Sequence, residues 1–347
     1  MKQQTSLLGA IVLAAFANAA AAQSQVTVFG IVDAAATNIK NGSAGSRKSL
    51  SSGQSNTSRL GFRGVEDLGG GLKAGFWLEG QIDVDDGNSG GFNFQRRSTL
   101  SLTGSFGELR IGRDQVPSYL NWVNYDLWGY VGVATTANLR GSFLSQGGAS
   151  NGVRASNTIG YWTPKVGGFF GHFMVAAGEG APGNKYAGAR VGYEAGKLEV
   201  SAALGKTYKT GAMLDELTTQ SLGASYDFGP VYVVAAFEKA EYSTLDRELM
   251  TFGVRVPLGQ GRFKAQYARS SGTGPSARPQ QFDATLLGVG YDHRLSRRTT
   301  LYANYGSIDN DGNTVTGGTF TTTNNGPAGM RRGETSTGYQ VGIRHNF

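Results

Sequence analysis

The last ten residues, GYQVGIRHNF (residues 338–347), carry the pattern that decides the fold. The odd positions hold tyrosine, valine, isoleucine, histidine and phenylalanine, and the even positions after Gly338 hold glutamine, glycine, arginine and asparagine. Side chains on a β-strand point alternately to opposite faces. One face of this segment is therefore mostly apolar or aromatic and the other mostly polar, which predicts a strand that separates an apolar medium from a polar one.

The same alternation recurs along the chain. Clear examples are LKAGFWLEGQ (72–81), KLEVSAAL (197–204), ELMTFGVRV (248–256) and RFKAQYA (262–268). A tilted strand of about ten residues is long enough to cross a bilayer. We therefore predict an all-β fold, a 16-stranded antiparallel transmembrane β-barrel, because an even number of strands closes the sheet and leaves no edge facing lipid. The predicted strands start near residues 25, 56, 72, 93, 108, 154, 169, 185, 197, 218, 231, 247, 262, 281, 299 and 334.

Two kinds of connection alternate between these segments. Short ones contain glycine, as in DLGGG (67–71) and PLGQG (257–261), whereas the polar connections at 40–55, 86–92, 272–279 and 309–333 are longer. Short turns at one end and long loops at the other are typical of outer-membrane barrels. The connection at 115–153 exceeds ordinary loop lengths and is rich in aromatic residues, so we expect it to pack inside the barrel lumen.

The N-terminus has the features of an export signal. Lys2 precedes the apolar run SLLGAIVLAAF, and three alanines before Gln23 provide an A-x-A cleavage site. We expect residues 1–22 to be a cleaved signal peptide and residues 23–347 to form the mature barrel. Beyond residue 22, no stretch of 18 or more apolar residues predicts a membrane-spanning helix.

Composition and charge narrow the functional classes. The chain has 54 glycines, no cysteine and a formal net charge of +7. Its basic residues are scattered singly along strands, which argues against nucleic acid as a partner. The three histidines, His172, His293 and His345, lack metal-ligand spacing, so we expect neither a metal nor a cofactor. An outer-membrane barrel enzyme would need a serine or threonine beside a histidine base, and only His172 is a plausible base. A structural or adhesive barrel stays a further alternative.

Several stretches resemble the trimeric, 16-stranded general porins of Gram-negative bacteria. QVTVFGIVDAA (25–35) resembles the first strand of that family, and SRLGFRGVEDLGGGLKAGFWLEG (58–80), the most specific stretch, resembles the following hairpin. LTGSFGELRIGRDQVP (102–117) resembles the segment that enters the family's constriction loop, and VGIRHNF (341–347) its last strand. The resemblance runs from the signal peptide to the last residue, although the strands between 185 and 300 match by pattern more than by motif.

The resemblance implies an outer-membrane homotrimer with one water-filled pore in each protomer. The segment 115–153 would be the constriction loop, and Phe347 would be a recognition signal for barrel assembly. Trp77 departs from the family, because it stands at a lumen-facing position that is more often polar. The constriction loop is also less acidic than in many relatives, with only Asp126 and Arg140 as charged residues.

Strand alternation predicts which charged residues face the pore. We expect a constriction lined by arginines from early strands, with Lys73 on the same face; Arg113 would need a bulge to turn inward, and Arg96 is ambiguous. Asp33 and Glu79 should also face inward and brace arginines, and Asp126 lies in the loop. The predicted basic residues of the constriction are Arg59, Arg63, Lys73, Arg97, Arg110 and Arg113.

An arginine-rich constriction favours anions, because guanidinium groups stay charged and repel cations. We therefore predict a passive diffusion porin for small anionic or neutral solutes, with outer-membrane lipid and lipopolysaccharide as its surroundings. In one alternative the arginines are fully paired and the pore is barely selective. In another, the aromatic residues of the constriction loop form a stacking track in a substrate-specific channel for sugars or organic acids; otherwise they only pack the loop against the wall.

Overall fold

The computed structural model describes residues 25–88, 91–146, 151–210, 215–273, 283–311, 320–323 and 326–347. The predicted signal peptide, residues 1–22, lies outside these ranges, as do residues 147–150 of the constriction loop. Within them, no helix is long and apolar enough to cross a membrane.

The described chain folds into one antiparallel sheet. Each strand except the short β2 starts within four residues of a predicted start. The strands are β1 (Gln25–Asn41), β2 (Ser46–Ser52), β3 (Arg59–Gly69), β4 (Leu72–Gln81), β5 (Arg97–Gly104), β6 (Gly107–Gln115), β7 (Arg154–Trp162), β8 (Phe169–Ala176), β9 (Tyr186–Ala195), β10 (Leu198–Thr210), β11 (Asp215–Asp227), β12 (Tyr232–Tyr242), β13 (Leu245–Leu258), β14 (Gly261–Thr273), β15 (Ala284–Arg294), β16 (Thr299–Asn310) and β17 (Thr335–Asn346).

The sheet closes into a 16-stranded barrel, as the sequence predicted. β1 pairs with β17 on one side, with Ile31 opposite Asn346 and Asn41 opposite Ser336. On its other side, the first half of β1 pairs with β3 and the second half with β2. β2 and β3 therefore count as one strand of the barrel, which is interrupted at residues 53–58. Among the described strands, closure leaves no edge unpaired, which the hydrocarbon region of a membrane requires.

The prediction of a long loop at 40–55 was wrong in part. A tight turn at residues 42–45 leads directly into β2, which extends the barrel wall. The segment SRKSLSS contains a single large apolar residue, Leu50, so it shows no apolar alternation. Its pairing is supported by hydroxyl groups, since Thr37 Oγ1 lies 2.7 Å from Ser49 Oγ.

The two faces of the barrel differ as the alternation predicted. Large apolar side chains point outward and are exposed on the isolated chain; Leu100 is 56% exposed and Ile111 47%. Their neighbours on the same strands, such as Ser101 and Arg110, line an interior cavity. An exposed apolar band around a polar interior is the pattern of a barrel that faces lipid.

The described part of the connection between β6 and β7, residues 116–146 and 151–153, folds into the lumen. It contains two helices, α1 (Pro117–Val123) and α2 (Ala137–Gln146). α1 contacts β8 to β11, and α2 contacts β13. The buried aromatic residues of this constriction loop pack with apolar side chains of the inner wall; the buried apolar residues of the loop in this cluster are Trp122, Tyr125, Leu139 and Leu144.

Glycines on the inner wall let the constriction loop lie close to it. At Gly306 an added Cβ would meet the backbone of Val133, and at Gly223 it would meet the ring of Tyr125. A larger residue at either position would push the loop away from the wall. This close approach accounts for part of the high glycine content, beside the positive-φ glycines of the turn after β3.

Candidate pore constriction

One carboxylate organises the basic residues beside the constriction loop. Glu79, on β4, accepts from Arg59 Nη1 at 3.2 Å and from Arg96 Nε at 2.7 Å, both at Oε1. Its Oε2 accepts from Trp77 Nε1 at 3.2 Å. Arg59 is also held from behind, since its Nε donates to the carbonyl oxygen of Thr57 at 3.0 Å. The Glu79 carboxylate thus holds two guanidinium groups in place.

A third arginine joins this group from the far end of the constriction loop. Arg154, the first residue of β7, donates from Nε to the carbonyl oxygen of Arg96 at 2.6 Å. Tyr119, on α1, lies close enough to interact electrostatically with Arg154 and Arg96. Burial raises the pKa of Tyr119, whereas the positive charges of Arg154 and Arg96 act in the opposite direction. The loop therefore lies beside the arginine group. We name Arg59, Arg96, Arg154 and Glu79 the constriction cluster.

The constriction cluster carries an excess of positive charge. It contains three guanidinium groups and one carboxylate, and a guanidinium stays protonated at any physiological pH. The side chains of Arg59 and Arg96 keep 19% and 11% exposure. Both side chains are therefore only partly exposed to solvent. Charges held in a partly dry passage act more strongly on a passing ion than the same charges in bulk water.

A second arginine group, on β5 and β6, is balanced. Arg97 Nε lies 3.7 Å from Asp114 Oδ2, and Arg110 Nη1 lies 3.0 Å from the same oxygen. Arg110 also pairs with Glu108 at 2.6 Å. Two cations thus meet two carboxylates, so this group contributes little net charge.

Aromatic rings fix the arginines of this wall in position. The guanidinium of Arg63 lies 5.3 Å from the ring centre of Trp77, and that of Arg97 lies 4.6 Å from it. Arg110 stacks on Trp162 at 3.9 Å. Arg63, Lys73, Trp77, Arg97 and Arg110 line one cavity of about 450 Å³. Trp77, the departure from the family pattern, thus holds arginine side chains on the lumen wall.

The remaining predicted site residues have other partners, and Arg113 is bound to a backbone carbonyl group and a hydroxyl group. Arg113 donates to the carbonyl oxygen of Gln95 at 2.6 Å and to Ser156 Oγ at 2.8 Å, beside a register shift between Gly112 and Asp114. It forms no ion pair among the described residues. The shift agrees with the expected bulge, and Arg113 lies next to the constriction cluster, because its acceptor Gln95 directly precedes Arg96.

Asp33 was expected to brace an arginine, and the structure gives it different partners. Its carboxylate accepts from the backbone nitrogens of Gln54, Ser55 and Asn56 at 2.8–3.1 Å. The hydroxyl of Tyr302 donates to it at 2.6 Å. Asp33 therefore holds the segment 53–58, where the wall between β2 and β3 is interrupted, and this segment leads directly into Arg59.

Asp126 lies inside the constriction loop and not on an open lumen surface. Its Oδ2 accepts from the hydroxyl groups of Thr135 at 2.6 Å and Thr136 at 2.8 Å, and its Oδ1 accepts from the backbone of Trp128 at 2.9 Å. Burial raises the pKa of Asp126, and these hydrogen bonds oppose that rise. Its carboxylate shapes the loop.

A buried ion group attaches the loop to the wall. Arg140, on α2, donates from Nε to Glu238 of β12 at 2.8 Å, and Arg247 of β13 pairs with the same carboxylate. All three side chains are at most 1% exposed. Although burial opposes the charge of Arg140, the Glu238 carboxylate raises its pKa. We name Arg140, Glu238 and Arg247 the loop latch.

Sequence reasoning left the facing of Arg96 ambiguous and did not name Arg154. Arg96 precedes β5, where strand alternation does not apply, and Arg154 lies next to a long loop whose path has no sequence signature. The available signals were the position of Arg96 directly before β5 and that of Arg154 at the end of the constriction loop. Only tertiary structure brings them to Glu79.

His172, the plausible base of an enzyme alternative, lies in an aromatic stack. Its ring lies 3.9 Å from that of Trp162, with an angle of 16° between the planes. Neither ring nitrogen has a hydrogen-bond partner among the described residues. The aromatic residues Tyr119, Trp122, Tyr125 and Trp128 of the constriction loop are buried, which favours packing over an open stacking track.

Comparisons with known proteins agree with this architecture. A family model described as Gram-negative porin matches residues 9–313. Outer membrane porin protein 32 of Delftia acidovorans is 40% identical over 99% of both chains, and an outer membrane porin protein of Bordetella pertussis is 28% identical over 99% of both. The structure of the anion-selective porin from Comamonas acidovorans superposes with a TM-score of 0.84 at 40% identity, covering 94% of this chain and 100% of that one. The trimer form of OmpT from Vibrio cholerae superposes at 0.67 with 16% identity, covering 93% and 99%, which shows the shared fold alone.

Proposed function

The chain belongs to the Gram-negative porin family, and from that membership we propose that this outer-membrane porin is a trimeric diffusion channel with a preference for anions. Passage through it is passive and involves no chemical step. The constriction loop filters solutes by size, and the constriction cluster filters them by charge. Small inorganic anions and organic acids are the favoured solutes, and small neutral solutes also pass.

The observation that carries this proposal is the charge balance of the constriction cluster. The negative charge of Glu79 offsets one of the three positive charges of Arg59, Arg96 and Arg154. The remaining positive charge stands beside the loop, where every solute must pass. Asp126, a carboxylate of the loop itself, is engaged in hydrogen bonds within the loop. A cation therefore meets net repulsion there, and an anion meets attraction.

The alternative of fully paired arginines has less support. Full pairing holds for Arg97 and Arg110, which form ion pairs with two carboxylates. It does not hold for Arg154, whose Nε bonds a backbone carbonyl oxygen that carries no formal charge. Selectivity should therefore arise at the constriction cluster and not at the group around Asp114.

Assembly into trimers in the outer membrane is the second part of the proposal. The exposed apolar residues on the outer face need lipid or a neighbouring copy to cover them. A related barrel, OmpT of Vibrio cholerae, is described in a trimer form. We propose that lipopolysaccharide and other outer-membrane lipids cover the outer surface that the trimer contacts leave exposed.

The proposal is tested by recording single channels in a planar bilayer under a KCl gradient. We expect a reversal potential of the sign set by chloride and closures in three equal steps. A reversal potential near zero would leave the diffusion channel and remove the anion preference. Single-step closures from folded protein would contradict the trimer.

A further inference from the structure

A second basic cavity lies on the inner wall at the end of the barrel that carries the short turns. Its volume is about 950 Å³, and residues of β13 to β17 with their connecting turns line it. Five arginines and one carboxylate belong to its lining: Arg255, Arg262, Arg294, Arg297, Arg344 and Asp292. We name these residues the mouth cluster. They come from the opposite part of the chain from the constriction cluster, which is built from β3 to β7.

The arginines of the mouth cluster are mostly without carboxylate partners. Asp292 pairs with Arg262 at 2.8 Å and with the neighbouring Lys264 at 3.2 Å, so its charge is already shared. Within the described residues, the other four arginines form no ion pair. The group therefore carries an excess of several positive charges in one concave surface, larger than the excess at the constriction cluster.

Two of these arginines are fixed in the cavity wall. The guanidinium of Arg255 stacks on Tyr232 at 4.2 Å from the ring centre. Arg344 donates from Nη1 to Ser55 Oγ at 3.1 Å, whereas its buried Nε has no acceptor among the described residues. Arg344 thus stays on the cavity wall with no carboxylate partner among the described residues, and guanidinium groups of this kind are strong donors to an oxyanion.

The mouth cluster is also connected to the constriction cluster. Ser55, the partner of Arg344, belongs to the segment 53–58, and the adjacent Asn56 accepts from Arg59. Ser55 and Asn56 therefore connect Arg344, where an anion would be held, to Arg59 of the constriction cluster. The positively charged lining continues from the short-turn mouth towards the narrow part of the channel.

We propose that the mouth cluster is a binding site for small multivalent oxyanions, with di- and tricarboxylates as the favoured class. This inference deepens the proposed anion preference and rests on it. The planar guanidinium fork matches the geometry of a carboxylate, and attraction to several fixed cations grows with the charge of the ligand. The cavity is far larger than a chloride ion and accommodates a molecule with several carboxylates. Multivalent acids are thus retained before they pass, whereas chloride passes without retention.

The test uses citrate as the probe and the chloride current of the whole reconstituted porin as the readout. We expect millimolar citrate to reduce the current, and acetate at the same concentration to leave it nearly unchanged. In the double variant Arg255→Gln/Arg344→Gln, the half-blocking citrate concentration should rise about tenfold or more, since two charge-assisted contacts are lost. The variant Arg255→Lys/Arg344→Lys keeps the charge and should recover part of the block.

Arg298→Gln is the matched control. Arg298 belongs to the turn at 295–298, but its side chain is not part of the cavity lining. Its half-blocking concentration should equal that of the unmodified porin. The inference is overturned if citrate does not block a channel whose reversal potential favours chloride. It is equally overturned if the Arg255→Gln/Arg344→Gln channel is blocked at the unmodified concentration. The KCl reversal potential of the same channels measures the anion preference independently of citrate binding.

Discussion

Glu79 lowers the net charge of the constriction cluster by one and holds two of its guanidinium groups in place. Without it, Arg59 and Arg96 would repel each other and turn towards solvent. With it, both are held on the wall with Arg154 beside them, and the group keeps its positive excess. At this scale the carboxylate is a positioning residue, and the guanidinium groups act on the solute.

Neutralising two arginines of the constriction cluster should weaken the anion preference. In Arg59→Gln/Arg154→Gln, the Glu79 carboxylate and Arg96 nearly cancel, so we expect the KCl reversal potential to move towards zero while the arginines of the mouth cluster keep its sign. Arg59→Lys/Arg154→Lys retains the charges and should keep the sign and most of the size of the potential. Equal potentials in the glutamine variant and the unmodified porin would assign selectivity to other residues.

Asp33 acts on the site through the segment 53–58. Asp33→Asn leaves one acceptor oxygen for the three backbone donors, so we expect a lower urea midpoint of unfolding and an altered conductance. Tyr302→Phe removes one hydrogen bond to the same carboxylate and should cost about 2 kcal/mol with little change in conductance. If both variants behave alike, Asp33 does not organise that segment.

At the scale of elements, the constriction loop is held by buried contacts on several strands. The loop latch fixes α2 to β12 and β13, while Asn121 of α1 bonds Ser221 of β11 at 2.9 Å. Glycines beneath the loop allow this approach, and Gln266 of β14 accepts from the backbone of Leu127 at 2.9 Å. The loop is therefore a fixed part of the channel wall.

Breaking the loop latch should free the loop. Glu238→Gln removes the carboxylate charge that Arg140 and Arg247 share in a buried site, which costs about 3–5 kcal/mol. We expect a lower unfolding midpoint and a noisy open-channel current. Glu241→Gln is the control, since this carboxylate on the same strand is 49% exposed and pairs with Lys239 on the surface. A quiet current in Glu238→Gln would show that the remaining contacts hold the loop alone.

For the whole molecule, the first and last strands must meet before the barrel is complete. Phe347 exchanges two backbone hydrogen bonds of 3.1 Å with Gly30, and its ring lies over that glycine. Gly30 has no side chain to prevent this contact. The last residue therefore belongs to the closing seam, in addition to the assembly role that the family resemblance implies.

Deleting Phe347 should reduce the yield of folded trimer. The seam loses two backbone hydrogen bonds and an apolar contact, and the outermost pairing between β1 and β17 frays. Phe347→Tyr keeps the backbone and the ring and should assemble normally. The readout is the fraction of protein that migrates as trimer on unheated gels, and normal yield from the deletion would refute the role of the terminal residue.

The sequence alone determined the class of fold, the strand positions and the facing of most strand residues. These features follow from period-two alternation, which is local, and Ser101 and Arg110 lie on the lumen side as alternation requires. Alternation cannot give depth, and it gives no facing for residues outside strands. It therefore gave no assignment for Arg96, omitted Arg154 and linked Asp33 to an arginine.

Tertiary structure alone decided which charges meet. Glu79 and Arg96 meet because β4 pairs with β5, and Arg154 joins them because the constriction loop returns the chain to β7 beside β6. The barrel closure likewise brings Arg344 to Ser55, although 289 residues separate them. Charge at a point in space depends on the register and shear of the whole sheet, and local patterning does not encode that register.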